Sequence, residues 1–423
     1  MNLNEPPAAT GGFIVKFECK EMEQHLSDAQ LLELAKEYGT PLYVYNADKI
    51  SDQYQKLTTS FAGQHVRFFY ASKALTNPHI LKHLVKLGAG IDCSSINEVK
   101  LALYAGAKPD QLLYTSNGIA FEEIIEAVSL GIHINIDSLS NLEKFGRKYG
   151  HSYPVGLRLR PNIMAGGNLK ISTGHDKSKF GIPVDQVDQI VALVQKLNIH
   201  INCLHIHTGS EIKDVEVFVK GIEVLFDIVQ RFPELQFIDL GGGFKVSYRK
   251  GDHITDIDLL AEKVGEAFAT KRNAKGEPFQ VWFEPGKFLV SECGYFITQV
   301  NVIKETSAAT FVSVNSGFNH LIRPMFYDSY HFIRNISNPA GEEKQYAVVG
   351  NICETDTFAW DRKLNEIREG DWLVFFNAGA YGFEMSSNFN SRFKPAEVMV
   401  EAGEAKLIRR REQFDDLLRN IPE

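Results

Sequence analysis

The sequence predicts an α/β plus β architecture: a (β/α)8 TIM-like barrel joined to a second, antiparallel β domain. Three observations carry that expectation. Eight apolar runs alternate with amphipathic helical stretches from about residue 66 to 288. After about residue 295 the texture changes to strand-like runs separated by turns, with few helices. The distinctive polar residues fall at the C-terminal ends of the eight runs, where barrels of this kind place their chemistry.

The opening stretch contains a strand-like Phe13–Glu18, a helix at Asp28–Tyr38 and a second strand-like run, Leu42–Tyr45. It precedes the barrel and can add strands to the second domain. The eight runs are Val66–Lys73, Gly90–Ser95, Leu112–Asn117, His133–Ser138, Val155–Asn162, Ile201–Ser210, Phe237–Gly243 and Val281–Phe288. Between them lie helical segments such as Pro78–Leu87, Glu98–Ala105, Glu122–Leu130, Val184–Leu197 and Val215–Gln230. In the last, Val215, Phe218, Val219, Ile222, Leu225, Phe226 and Val229 recur at helical spacing. Parallel strands need crossover helices, and eight such units close on themselves. Beyond them, Gly294–Lys304, Thr310–Asn315, Tyr346–Ile352, Asp371–Asn377 and Ala396–Glu401 read as strands of an antiparallel domain. The expected division is residues 1–48 as an N-terminal contribution to the β domain, 49–294 as the barrel and 295–423 as the β domain.

Length supports that division, since 423 residues exceed what one core usually holds. Hydrophobic residues at 44% and charged residues at 23% allow a sizeable core and argue against long disorder. A net charge of −8 gives no electrostatic reason to bind nucleic acid or an anionic membrane. The cysteines (Cys19, Cys93, Cys203, Cys293, Cys353) are odd in number and scattered, with no C-x-x-C pair, so neither a disulfide framework nor a zinc site is indicated. No basic leader and no run of membrane-spanning length is evident, so a cytoplasmic chain is expected.

At the strand ends stand Lys73, then Asp92 with Ser94, then Asn117. Arg158 lies in the fifth run, and His205, His207 and Ser210 close the sixth. Gly241, Gly242 and Gly243 end the seventh, and Glu284 with Lys287 the eighth. Each alone has a plain reading. A lysine ending a strand is ordinarily a solvated rim charge. A triple glycine is more often a tight turn than a phosphate cradle, although its backbone N–H groups can approach an anion closely. His205 and His207 share a strand face, but no acidic residue lies at matching spacing, so cofactor stacking ranks above a metal. It is the clustering at one rim that carries weight.

These motifs resemble the fold-type III pyridoxal-phosphate decarboxylases over about Leu42 to Val400. The markers are Phe69-Tyr-Ala-Ser-Lys73, Leu204-His-Ile-His-Thr-Gly-Ser210, Asp239-Leu-Gly-Gly-Gly243, Phe283-Glu-Pro-Gly286 and Gly350-Asn-Ile-Cys-Glu354. Narrower ones point to the diaminopimelate branch: Ile171-Ser-Thr-Gly174 with Lys179-Phe-Gly181, and Leu321-Ile-Arg-Pro324 with Tyr327. Gly379-Ala-Tyr381, Met385-Ser-Ser387 and Arg392 with Pro395-Ala-Glu397 follow in the same order.

The resemblance implies roles. Lys73 would carry pyridoxal 5'-phosphate through an imine, and Glu284 would face the pyridine nitrogen and keep the ring protonated as an electron sink. His207 would stack on one ring face, with Asp92, Arg158 and the Pro285-Gly286-Lys287 turn also in the cofactor site. Ser210, the amides of Gly241, Gly242 and Gly243, and Tyr381 would hold the phosphate. Cys353 would protonate the carbanionic centre from the partner subunit of a homodimer with shared sites, where a lone cysteine is otherwise a small buried hydrophobe. Arg323 and Tyr327 would hold a distal substrate carboxylate and Glu354 the distal amine, with Lys287 and Tyr381 completing the substrate site. The implied reaction is decarboxylation of meso-diaminopimelate to L-lysine and carbon dioxide, the last step of lysine biosynthesis.

Two positions depart from the family pattern. Lys287 stands where arginine is usual, exchanging a bidentate fork for a point charge. Arg160 stands where asparagine is common. The alternatives are a decarboxylase of ornithine, arginine or carboxynorspermidine, an amino acid racemase, or a non-catalytic pyridoxal-phosphate-binding regulatory protein. Arg323 argues for a substrate with a second carboxylate. The joint presence of Lys73, Glu284 and Cys353 argues for an enzyme.

Overall fold

Leu42–Asn46 explains how the two halves of the chain are joined, because all five of its residues are buried. Tyr43 and Tyr45 belong to the main core that runs through the barrel, while Leu42 and Val44 belong to a second core with Leu31 and Leu34. Alternate side chains of a strand face opposite ways, so a continuous apolar run is what a strand covered on both faces requires. The computed structural model describes residues 25–163 and 178–422. The expected strand Phe13–Glu18, Cys19 and the motif Ile171-Ser-Thr-Gly174 lie outside the described residues.

Among the described residues, eight parallel strands close into a barrel. They are Val66–Ala71, Gly90–Cys93, Leu112–Thr115, His133–Ile136, Val155–Arg160, Ile201–Ile206, Phe237–Asp239 and Gln280–Phe283. Each pairs with the next, and the eighth returns to the first with Val281 opposite Val66 and Phe283 opposite Phe68. The observed strands stop short of the expected runs: the sixth ends at Ile206 and the seventh at Asp239, so His207, Ser210 and the glycines sit in loops above them. Phe69, Leu113, Cys203 and Trp282 form a separate buried cluster that fills the barrel interior. The barrel is a packed plug with an opening at one end.

Local signals start the flanking helices. Ser27 and Gln30 form a capping box at Asp28–Tyr38. Asn77 caps Pro78–Lys86, whose proline occupies the first turn and whose Ile80, Leu81 and Leu84 are buried. Asp256 caps Ile257–Phe268, a helix that the sequence expectations did not name.

The second sheet has the order Thr357–Asn365, Glu343–Val349, Thr310–Val314, Gly294–Glu305, Leu42–Asn46, Ala396–Glu401, Glu404–Arg409. Trp372–Phe375 bridges Gly294–Glu305 to Ile333–Asn335. The N-terminal segment therefore does contribute to this domain. The expectation of antiparallel pairing throughout is corrected at two places: Leu42–Asn46 runs parallel to Ala396–Glu401, and Thr310–Val314 parallel to Glu343–Val349. Neither pair is joined by a hairpin, so no tight turn forces the strands to run antiparallel.

Candidate active site

A cavity of about 900 Å³ opens at the C-terminal ends of the barrel strands. Lys73, Arg158, His207 and Glu284 line its barrel side, and Arg323, Tyr327 and Tyr381 line it from the second domain. Ser210, Gly243, Gly286 and Lys287 complete the expected residues on its wall, with Ser94 and Asn117 also present. Asp92, Gly241, Gly242 and Pro285 stand behind this surface rather than on it. Cys353 and Glu354 lie elsewhere on the same chain, both exposed.

Lys73 occupies a tight turn, Ser72–Ala74, immediately after the first strand. Ser72 Oγ lies 3.0 Å from the Asp92 carbonyl and 2.8 Å from Glu98 Oε2, and the Tyr381 N–H donates to the Ala74 carbonyl at 2.8 Å. The turn is thus fixed to the second strand and to the β domain. Burial disfavours the Lys73 ammonium, but Asp92 first, then Tyr381 and Glu284, outweigh it and leave the pKa above the ordinary lysine value.

Three buried carboxylates, Asp92, Asp239 and Glu284, face the buried cation Arg158 and Lys73, which opens onto the cavity. Burial alone would raise Glu284, yet His205 above all, and then Lys73, hold it well below the usual carboxylate range. Its Oε2 lies 3.3 Å from His205 Nε2. Burial, and then the charge of Glu284, push Asp92 and Asp239 well upward. Asp92 therefore raises Lys73 while being raised itself. With fewer cations than carboxylates, Glu284 is the one that keeps its charge throughout. Glu284 Oε1 and Asp92 Oδ1 are buried acceptors without a hydrogen-bond partner among the described residues. A buried carboxylate oxygen left in this state is costly unless something absent from the chain meets it.

The glycine run is tightly built. A Cβ on Gly241 would come 2.6 Å from His207 Nδ1, on Gly242 2.2 Å from the Glu284 carbonyl oxygen, and on Gly243 2.1 Å from the Gly209 carbonyl oxygen. Gly241 and Gly243 also have φ of +66° and +99°. The Gly241 N–H donates to Asp239 Oδ1 at 2.9 Å, and the Gly242 N–H to His207 Nδ1 at 3.3 Å. Those two amides therefore orient an acid and an imidazole, and Gly243 is the one that meets the cavity. Burial, with Lys73 and Arg158 adding, depresses His207 well below the ordinary histidine pKa, so its ring is neutral with Nδ1 as acceptor.

Arg323 begins the short helix Arg323–Tyr327 and is buried, with its guanidinium 5.6 Å from the Tyr381 ring centroid and 5.9 Å from that of Tyr327. Arg158 lies 4.9 Å over the ring of Phe180. Arg160 does not line the cavity; its Nη1 donates to the Ser178 carbonyl at 2.5 Å and ties the fifth strand to the chain returning at that point.

Sequence reading missed Glu211, Tyr248 and Arg249, which all line the cavity. Glu211 follows the Ser210 motif directly, and a residue adjoining a motif was the available signal. It also missed the acidic partners of His205. Asp239 comes from the next strand and Glu284 from the end of the one after it, rather than from the same strand, and the three offer ligand atoms within 4.8 Å of one another. Cys353 sits in a loop where its Sγ accepts from Asn390 Nδ2 at 3.2 Å, and its own N–H donates to Asn390 Oδ1 at 3.2 Å.

Among known families, the model of the pyridoxal-dependent decarboxylases, pyridoxal binding domain, matches residues 47–291. The diaminopimelate decarboxylase of Methanothermobacter thermautotrophicus is 40% identical over 410 residues, covering 94% of this chain and 95% of that one. A solved diaminopimelate decarboxylase from Helicobacter pylori, complexed with L-lysine, superposes with a TM-score of 0.84 at 33% identity, covering 92% of this chain and 98% of that one. A lysine/ornithine decarboxylase from Vibrio vulnificus, complexed with putrescine, gives 0.76 at 25% identity over 88% of this chain and 97% of that one.

Proposed function

The chain belongs to the pyridoxal-dependent decarboxylases, and we propose that it removes one carboxylate of meso-diaminopimelate as carbon dioxide, leaving L-lysine as the last step of lysine biosynthesis. The observation that carries the substrate is a second cation, Arg323, on the same cavity as Lys73 and Glu284. An amino acid with a purely cationic tail has no use for it. A substrate with a second carboxylate does. The relatives of high coverage that bear the diaminopimelate name support the same choice.

The donor set fits pyridoxal 5'-phosphate, which supplies, when bound, a protonated pyridine ring able to take up the electron pair left by carbon dioxide. Lys73 offers the amine that would attach it. The partnerless Glu284 Oε1 would hold the proton at the ring nitrogen, a role its depressed pKa suits. His207, neutral and fixed by Gly242, would cover one ring face. Ser210, Gly243 and Tyr381 would hold the phosphate, with Gly241 and Gly242 setting the geometry behind them. Asp92 and Arg158 would balance charge around Lys73.

Arg323 and Tyr327 would orient the distal carboxylate, so that the carboxylate to be lost stands at the Lys73 end. Cys353, which would return a proton to the substrate carbon, and Glu354, which would bind the distal ammonium, are not on their own chain's cavity. This favours a homodimer in which each subunit completes the other's site. No helix among the described residues is long and apolar enough to cross a membrane, and we place the enzyme in the cytoplasm. On this reading the described residues of 49–294 are the cofactor-binding barrel, and those of 1–48 contribute to the β domain of 295–423.

The test is incubation of purified protein with pyridoxal phosphate and meso-diaminopimelate, with assay of lysine and carbon dioxide. Lys73→Ala should lack both turnover and the visible absorbance of protein-bound cofactor. Release of carbon dioxide from ornithine but not from diaminopimelate would overturn the substrate and leave the chemistry standing.

A further inference from the structure

At the end of the barrel opposite the cavity, three residues from three chain segments converge. His151 follows the helix Leu139–Tyr149 and leads into the fifth strand, His200 directly precedes the sixth, and Glu234 leads into the seventh. His151 Nε2 lies 2.9 and 3.1 Å from the two Glu234 oxygens, and His200 Nε2 lies 4.0 Å from Glu234 Oε1. The two imidazoles are near parallel, 13° apart with centroids separated by 4.8 Å. One nitrogen from each ring and one carboxylate oxygen lie within 4.8 Å of one another.

We propose that His151, His200 and Glu234 form a binding site for a zinc-class divalent cation, with water completing the coordination shell. The donor set is two imidazoles and one carboxylate, which suits zinc and its neighbours and does not suit magnesium or calcium, cations that prefer oxygen alone. Metal–ligand bonds of about 2.0–2.2 Å put neighbouring donors roughly 3–3.5 Å apart in a tetrahedral shell. His151 and Glu234 already stand near that spacing, and the His200 side chain would have to turn so that its Nε2, 4.0 Å from Glu234 Oε1, closes on the same point.

The backbone under the site is fixed. The Val155 N–H donates to the His200 carbonyl at 3.0 Å, and the Gln236 N–H donates to the Asn202 carbonyl at 2.9 Å. Ligand-bearing segments are therefore held in register before any ion arrives. Burial chiefly holds His200 below the ordinary histidine pKa, with His151 and Lys275 adding to this and Glu234 opposing it. His151 and Glu234 are about half exposed, which leaves room for water on the ion. An ion there would clip three consecutive strands together at the closed end, far from the reacting groups. Its effect is on stability and not on turnover.

Chelator-stripped holoenzyme titrated with zinc chloride, followed calorimetrically, should bind with micromolar affinity and gain thermal stability as zinc rises. His200→Ala and Glu234→Gln should each weaken binding at least tenfold, with the cofactor absorbance and turnover unchanged. His151→Ala, at an exposed position, provides a variant whose folding is not in doubt. Magnesium chloride should not compete. Three results overturn the proposal: no saturable zinc binding, wild-type affinity retained in all three variants, or zinc displaced by magnesium. Retained wild-type affinity would place zinc elsewhere, for example on the exposed Cys353 thiol.

Discussion

Lys287 Nζ donates to Glu211 Oε1 at 3.0 Å on the wall of the cavity, an ion pair between residues 76 positions apart. Burial raises Glu211, but Lys287 more than offsets this, with Lys245 and Arg323 helping, so its carboxylate stays ionised. Glu211 also has φ of +61°, an uncommon conformation for a residue with a side chain. The lysine that replaces the usual arginine has thus not simply lost a fork. Its ammonium is aimed by a carboxylate within the site, and an incoming anion must share it.

Substitutions at this pair should separate aiming from charge. Losing a hydrogen bond to a charged group costs about 1.5–3 kcal/mol, roughly ten- to a hundredfold in affinity. Lys287→Ala should therefore raise the Michaelis constant for diaminopimelate by about tenfold or more, while Lys287→Arg stays within a few fold. Glu211→Gln, which keeps shape and removes charge, should move the Michaelis constant by less than Lys287→Ala does. Equal Michaelis constants for wild type and Lys287→Ala remove Lys287 from the site.

Gly242→Ala tests the close packing behind the cavity. Its Cβ would fall 2.2 Å from the Glu284 carbonyl oxygen, a backbone atom that cannot swing aside. Overpacking of this kind costs about 1–3 kcal/mol. Because the same backbone carries Glu284, the variant should both unfold at lower urea and release cofactor faster on dialysis. Gly63→Ala, with φ of +79° but nothing within 4 Å, should lose less stability and keep its cofactor. Equal cofactor retention in the two variants would show that the contact with the Glu284 backbone is not what holds the site in shape.

What the sequence disclosed follows from where the information sits. The eight barrel strands are legible because strands buried on both faces are short apolar runs bounded by turns. Glu404–Arg409 was not, since its residues are almost all exposed and no apolar alternation marks it. Thr357–Asn365 was obscured because register shifts in its pairing with Glu343–Val349 break the period of two. In the site, Lys73, His207 and Glu284 stand in contiguous motifs, whereas the Lys287–Glu211 pair and the Asp239–His205–Glu284 cluster exist only through the curvature of the barrel, which brings non-adjacent strand ends together. The resemblance supplied residue roles, and pairings across the barrel needed the fold.

Acid should destabilise the protein in part through buried neutral histidines. Burial lowers His133 and His320 to about 4 and His331 to about 3, from 6.5. Below pH 6.5 the unfolded chain takes up protons at these sites that the folded chain refuses until about pH 3 or 4. Stability contributed in this way is present above pH 6.5 and falls as pH drops through that window, by at most about 1.4 kcal/mol per pH unit for each histidine. His331 is the cleanest probe: Nδ1 lies 2.9 Å from the Phe376 carbonyl, and Nε2 is buried without a partner among the described residues. An asparagine side chain at this position keeps a donor and does not titrate. Between pH 7 and 5, His331→Asn should lose about 2 kcal/mol less than wild type in urea unfolding. Parallel losses would exclude His331 from the acid sensitivity.

Cys353 and Glu354 pose the sharpest question about assembly, because they are exposed on a chain whose cavity they do not line. If a second copy brings them to that cavity, a site needs Lys73 from one subunit and Cys353 from the other. Lys73→Ala and Cys353→Ala homodimers should each then be nearly inactive, since every site lacks one group. Subunits exchanged at equal concentration give about half heterodimers by random pairing, and symmetry leaves each with one site holding both groups. The mixture should recover about a quarter of wild-type activity. If each chain instead used its own Cys353, every site would still lack a group and mixing would restore nothing. Subunit exchange is verified separately with a size tag on one variant, so that absent recovery in exchanged dimers counts against shared sites.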